Sequence, residues 1–311
     1  MATTARRSAL DRFRARGLSR HQLGYVLVAP ALLLIAATVV VPMGHTIALA
    51  LQTVRLNLPN LPQGFNNFQN FGLLVQDPVF WSAVQVSVVL VLVNILFCLV
   101  LGMIIALILN ESFAGRGVVR AAMLIPWAMP GVVIATLWRF MFNDNYGVVN
   151  DILLRVGLIP SYQNILGGPW ALPGVIAAMV WRSTPFTALL ILAGLQVIPG
   201  ELYEAAKIDG ANAYKRFAHV TLPLVKSSLM IALIFRSLDA FREFDILYNL
   251  TAGGPGITTQ NLSLYTYKTY FSFLNFGYGS TLALAMTLIS GVFVFFYIRL
   301  VGMQLSSRWR D

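Results

Sequence analysis

Residues 199–223 read PGELYEAAKIDGANAYKRFAHVTLP, a charged stretch between two long apolar runs. Pro199 suits the first position of a helix, where a missing backbone N–H loses no bond. Glu201 and Glu204 follow in the first turns, where carboxylates meet the positive end of the helix dipole. Leu202, Ala205 and Ala206 share a face at three- and four-residue spacing, with Glu204 within reach of Lys207. Gly210 supplies a stop, because glycine takes the left-handed conformation without steric cost. A second short helix over 211–218 carries Lys215 and Arg216, and Pro223 starts the next apolar run. The expected unit is a helix, a sharp turn and a second helix, projecting from a membrane as a knob.

Composition puts the flanks of this knob in a bilayer. The 311 residues are 58% hydrophobic and only 11% charged, with a mean hydropathy of +0.73. Soluble domains carry about a quarter charged residues, so the chain reads as an integral membrane protein. Its single cysteine, Cys98, lies inside an apolar run. That leaves no disulfide framework and no cysteine zinc site, and Cys98 reads as a small buried hydrophobe.

Six spans are expected, at 23–50, 79–109, 118–142, 171–198, 224–250 and 280–303. The second is longer than the roughly twenty residues a bilayer needs, so it tilts or extends beyond it. The third carries Pro126 and Pro130, which free carbonyls and kink a membrane helix. A secretory signal competes for the first run, but that run is roughly twice the length of a signal core. The division is a basic tail at 1–22, a transmembrane domain at 23–303 containing the 199–223 loop, and a short tail at 304–311.

Charge distribution orients these spans. With both ends inside, the inner segments hold fifteen basic residues, among them Arg6, Arg7, Arg12, Arg14, Arg16, Arg20, Arg308 and Arg310. The outer segments hold four: Arg55, Arg139, Arg155 and Lys268. By the positive-inside rule both termini and the 199–223 loop are cytoplasmic. The net charge of +10 is therefore a topology signal, and no nucleic acid is expected as a partner.

The loop also carries a resemblance. Glu204-Ala205-Ala206, three residues, Gly210, nine residues, Val220, one residue and Leu222-Pro223 is similar to the EAA loop of binding-protein-dependent ABC importer permeases. Val220 stands where isoleucine is usual, and Asp209-Gly210-Ala211 extends the match in the manner of the sugar-importer class. The runs Ile125-Pro126-Trp127-Ala128-Met129-Pro130, Trp138 to Asn143, Tyr146 to Asn150, Leu238 to Arg242, Phe244-Asp245 and Leu250 to Pro255 resemble the same class. The resemblance implies that Glu204, Ala205, Ala206, Asp209 and Gly210 dock on a separate ATPase. It further implies a second permease subunit in a heterodimer, two ATPase subunits that bind ATP and Mg, and an extracytoplasmic solute-binding protein. The expected cargo is a sugar, in a class that handles maltose, trehalose and glycerol 3-phosphate, and the expected place is a bacterial or archaeal cytoplasmic membrane.

Charges inside the fifth span are the other unusual feature, because each costs about 2.5–3.5 kcal/mol at a helix centre. Arg236, Asp239 and Glu243 follow i, i+3, i+7, and Arg242, Asp245 and Asn249 repeat that spacing on an adjacent face. With Arg182 of the fourth span they make a neutral set of three cations and three anions. One reading is mutual ion pairing that fixes helix register. The other is a polar path for a hydroxyl-rich solute, lined by Arg182, Asp239, Arg242, Glu243, Asp245, Tyr248 and Asn249, with Tyr248 as a stacking platform. Tyr265, Tyr267, Tyr270 and Phe271 read as an interfacial belt or packing.

The chain lacks a GxxxxGK[ST] phosphate loop, so no ATP site of that kind and no enzymatic activity is expected on it. His21, His45 and His219 are too scattered to suggest a metal site. A stand-alone secondary transporter that uses the intramembrane charges is the competing function.

Overall fold

The computed structural model describes residues 20–307 apart from Pro59 and Pro62. Segments 1–19 and 308–311, with Arg6, Arg7, Arg12, Arg14, Arg16, Arg308 and Arg310, lie outside the described residues. Helix α1 runs through Arg20–Ile35, a π-helical turn Ala36–Val40 and Val41–Ala50. A two-strand hairpin, β1 (Gln52–Thr53) and β2 (Gly64–Phe65), follows, with Gln52 opposite Phe65. Then come α2 (Gln69–Gln76), α3 (Pro78–Asn110), α4 (Arg116–Met123), α5 (Ile125–Ala128), α6 (Gly131–Met141), α7 (Val148–Arg155) and α8 (Ala171–Leu195). The second half holds α9 (Gly200–Ile208), α10 (Ala213–Arg216), α11 (Leu222–Phe241), α12 (Asp245–Thr251), α13 (Leu262–Tyr267) and α14 (Phe276–Ser307). Among the described residues the architecture is all-α apart from that hairpin, with five helices long and apolar enough to span a membrane and one bent pair, α4–α5 with α6, that has the length and composition of a sixth.

Beyond the fifth span's helix ending at Phe241 rather than 250 and the sixth starting at Phe276 rather than 280, two features differ from the sequence reading. The third span is not one kinked helix: α4–α5 and α6 meet at 93°. Met129 and Pro130 are both extended there, with ψ of 140° and 142°. Proline pushes the residue before it out of the helical region and offers no N–H of its own. The second difference is that the fifth span begins inside the loop. Ala213–Phe241 is one 29-residue helix, and Pro223 does not break it. A π-helical turn at Phe217–Thr221 precedes that proline, and the Leu222 N–H reaches the Phe217 carbonyl. The wider turn gives the ring room where an α-helical carbonyl would clash. The same device precedes Pro42, where the Val41 N–H reaches the Ala36 carbonyl.

The core is a bundle of α3, α8 and α11 with α6 and α12 added at one end. Leu90, Val91 and Ile95 of α3 meet Val175, Ala178 and Met179 of α8, Ile134 and Ala135 of α6, and Ile246, Leu247 and Leu250 of α12. A second cluster, Met103, Ala106 and Leu109 with Ile191, Leu192, Leu195 and Val225, closes the end next to the 199–212 loop. In lipid such helices associate through close packing, which small residues permit. A methyl group on Gly102 of α3 would lie 3.1 Å from Thr187 Cγ2 and 3.3 Å from the Ala188 nitrogen of α8. The first helix is the exception to burial: it rests on α14 through its Val41–Ala50 part, and Ala50 alone of that part is buried.

Candidate functional site

Two regions carry the residues singled out by sequence. At one end, α9 projects with no buried residue. Pro199 is its N-cap in extended conformation, one position earlier than expected, and Gly200 is the first helical residue. Gly210 has φ +77°, the left-handed turn its identity suggested. The Asn212 Oδ1 then accepts the Lys215 N–H at 2.9 Å and starts α10. Tyr203 ties the two arms together through its hydroxyl, 3.1 Å from Thr221 Oγ1. Among the described residues Glu204 and Lys207 enter no ion pair, and both are exposed. Leu202, Ile208 and Tyr214 are exposed beside them, Ile208 at 86%. This short helix thus presents a carboxylate, two alanines and bare apolar side chains, with none of its residues buried.

The second region lies where α11 ends. The helix stops at Phe241, so Glu243 leaves the face it would share with Arg236 at i+7, and the two stripes expected from spacing become three groups. Arg236 is 3% exposed and donates from Nη1 to Asp239 Oδ2 at 2.6 Å, on an i, i+3 pair. Glu243, also buried, accepts from Arg182 Nη1 at 3.1 Å and from the Ile246 N–H at 3.2 Å. Asn261 Nδ2 donates to the Glu243 carbonyl at 2.7 Å. Asp239, Arg242, Asp245 and Tyr248 are exposed along one side, and Asn249 is half-buried with its Nδ2 on the Asp245 carbonyl at 2.8 Å. Among the described residues, the Arg242 and Asp245 side chains enter no ion pair.

The bent third span supports this strip. Arg139 of α6 donates from Nη2 to the Asn249 carbonyl and, at 3.3 Å, to the Leu250 carbonyl, capping the last turn of α12. At the other end of α6, Gly131 lies against Asp245: a methyl group there would be 2.5 Å from Asp245 Cβ. Aromatic rings continue the strip. Phe244 and Tyr248 stack at 5.2 Å, Tyr248 meets Tyr267 edge-on at 5.4 Å, and Tyr267 meets Phe271 at 5.0 Å. Tyr267 and Phe271 thus join Tyr248 rather than a separate belt.

Behind it, Asp77 caps α3 through the Val79 N–H at 2.8 Å and accepts from Tyr265 Oη at 2.6 Å and Tyr278 Oη at 2.5 Å. Burial pushes the Asp77 carboxyl up, but hydrogen bonds from Tyr265, Tyr278 and the Val79 and Phe80 amides outweigh it and hold it below its usual range. Nearby, burial lowers the Lys268 ammonium, whose Nζ donates to Gln260 Oε1 at 2.9 Å.

Arg139, Asn261 and Asp77 were not legible as site residues, nor was Asn94, whose Oδ1 accepts from Arg236 Nη2. Asn94 did leave a signal, as the only amide between Gln85 and Asn110 of a long apolar helix. The described residues hold no cluster of three or more His, Cys, Asp or Glu that could ligate a metal.

Five long apolar helices, a bent apolar pair, a projecting helix–turn unit and an exposed polar strip define a polytopic helical membrane protein. The comparisons agree. Residues 98–305 match the family model for the binding-protein-dependent transport system inner membrane component, and the chain belongs to that family. It is 40% identical over 279 residues to the trehalose/maltose transport system permease protein MalF of Thermococcus litoralis, covering 89% of this chain and 93% of that one. It is 38% identical over 287 residues to the sulfoquinovosyl glycerol transport system permease protein SmoG of Agrobacterium fabrum, covering 91% and 92%. Its fold matches a chain of a bacterial ABC transporter that imports the acidic polysaccharide alginate, with TM-score 0.76, 22% identity and coverage of 94% and 98%.

Proposed function

We propose that this chain is the permease subunit of an ATP-driven sugar importer and forms half of the path through the membrane. The observation that carries the reading is α9: a fully projecting helix with Glu204-Ala205-Ala206 on it and a left-handed Gly210 behind it. A permease that drove itself by an ion gradient would have no use for such a docking helix. Two partner ATPases bind ATP and Mg and receive one such loop each, this chain supplying Glu204, Ala205, Ala206, Asp209 and Gly210. A second permease subunit, making a heterodimer, completes the path, and an extracytoplasmic solute-binding protein delivers cargo. The relatives named for trehalose, maltose and sulfoquinovosyl glycerol support a sugar of one to several units. The assembly lies in a bacterial or archaeal cytoplasmic membrane, with both termini and the loop inside. Reporter fusions at Asn66, Asn164 and Gln260 should then read external and one at Asn212 internal, and an internal signal at Gln260 would refute the topology.

Cargo follows the exposed strip of Asp239, Arg242, Asp245, Tyr248 and Asn249. Charge-assisted hydrogen bonds are roughly twice as strong as neutral ones, and among the described residues Asp245 and Arg242 have no ion-pair partner that competes for them. Tyr248, stacked on Phe244, offers a ring to an apolar sugar face. Glu243 and Arg182 instead hold each other, behind the strip. Asp245→Ala should lower uptake or change the cargo range while the amount of assembled complex stays at the wild-type level. Normal uptake with lost assembly would make the strip architectural.

A further inference from the structure

Asn94 has no exposed surface, halfway along α3. Its Oδ1 accepts from Arg236 Nη2 of α11 at 3.0 Å, and Cys98 Sγ lies 3.7 Å from the same oxygen. The other arm of that guanidinium, Nη1, holds Asp239 at 2.6 Å. Arg236 is 3% exposed, whereas the Asp239 side chain is 64% exposed. One cation thus links a buried amide on one crossing to an exposed carboxylate on another.

The arrangement is a poor source of stability by itself. Among the described residues, Arg236 Nε and Asn94 Nδ2 are buried without a hydrogen-bond partner, and a half-satisfied buried network is less stable than an apolar core. An i, i+3 pair with one exposed member is also a weak contact by itself. What the arrangement supplies is direction. A guanidinium is a rigid planar fork, so fixing one arm on Asn94 fixes where the other arm holds a carboxylate.

We propose that Asn94 is a positioning residue for the transport path: it anchors Arg236 from α3 and so sets the Asp239 carboxylate at one place on the exposed side of α11. The role of Asp239 in the path rests on the functional reading above. The role of Asn94 in holding it is independently measurable.

The experiment labels carboxylates in the assembled transporter with a water-soluble carbodiimide and a small amine, and reads Asp239 and Asp245 by peptide mass spectrometry. Asp245, which has no ion-pair partner among the described residues, is the internal reference. Asn94→Leu and the smaller Asn94→Ser remove the anchor, and each should raise the Asp239-to-Asp245 labelling ratio severalfold. Asn94→Gln keeps an amide acceptor and should stay near the wild-type ratio. An unchanged ratio in both Leu and Ser variants overturns the proposal, as does a Gln variant that shifts as far as Leu. Uptake of labelled trehalose and maltose by the same preparations tests the other layer. If the ratio rises while KM and kcat for uptake stay unchanged, the anchoring stands and the pathway reading of Asp239 falls.

Discussion

Replacing Arg182 with leucine should destabilise the folded chain by up to about 3 kcal/mol, the lower end of the usual result for a buried ion pair, because the Arg182 side chain is 26% exposed while Glu243 is buried. Among the described residues, Glu243 would be left in the core with the Ile246 amide as its side chain's donor. The consequence spreads, because the Glu243 carbonyl also receives Asn261, which caps α13 through the Leu264 N–H at 2.9 Å. Thermal unfolding of the detergent-solubilised complex gives the measurement. The double variant Arg182→Leu with Glu243→Leu should recover most of the loss, since a matched apolar pair has no stranded charge. A single variant as stable as the wild type would show that the pair is not what holds the break after α11.

Glu204→Lys should have the largest effect on function. In the complex reconstituted with its ATPases and binding protein, cargo-stimulated ATP hydrolysis should fall to the unstimulated level while the chain still inserts and assembles. Reversal of an anchoring charge adds repulsion as well as removing attraction. Gly210→Val should act on the same step by another route. Apart from its chain neighbours, no atom of the described residues lies within 4 Å of a methyl group placed there, so space is not the obstacle. The obstacle is φ of +77°, a region that β-branched residues avoid. Full stimulation in both variants would remove the loop from coupling.

How much of this was legible in the sequence depended on how local each feature is. The spans follow from apolar runs alone, and the Gly210 turn follows from one residue. The 93° bend at Met129-Pro130 was half visible: prolines announce a disturbance, but its angle depends on what α6 packs against, here Asp245 and Ile246 of α12. The fusion of α10 with the fifth span was hidden because Pro223 reads as a boundary, and a π-helical turn that absorbs it has no sequence signature. The charged residues were all found, but spacing paired them wrongly where the helix stops at Phe241. Arg139, Asn94 and Asn261 act across sequence separations of 110, 142 and 18 residues, distances over which periodicity carries no information.

The central claim is that this chain moves sugar by energy taken from ATP on partner subunits. Proteoliposomes containing the complete transporter, its binding protein and labelled trehalose or maltose, with ATP and Mg inside and no ion gradient, test it most directly. Accumulation that requires ATP and disappears in the Glu204→Lys variant is the predicted result. Uptake by this chain without ATPase subunits, driven by a proton or sodium gradient and indifferent to ATP, would contradict it.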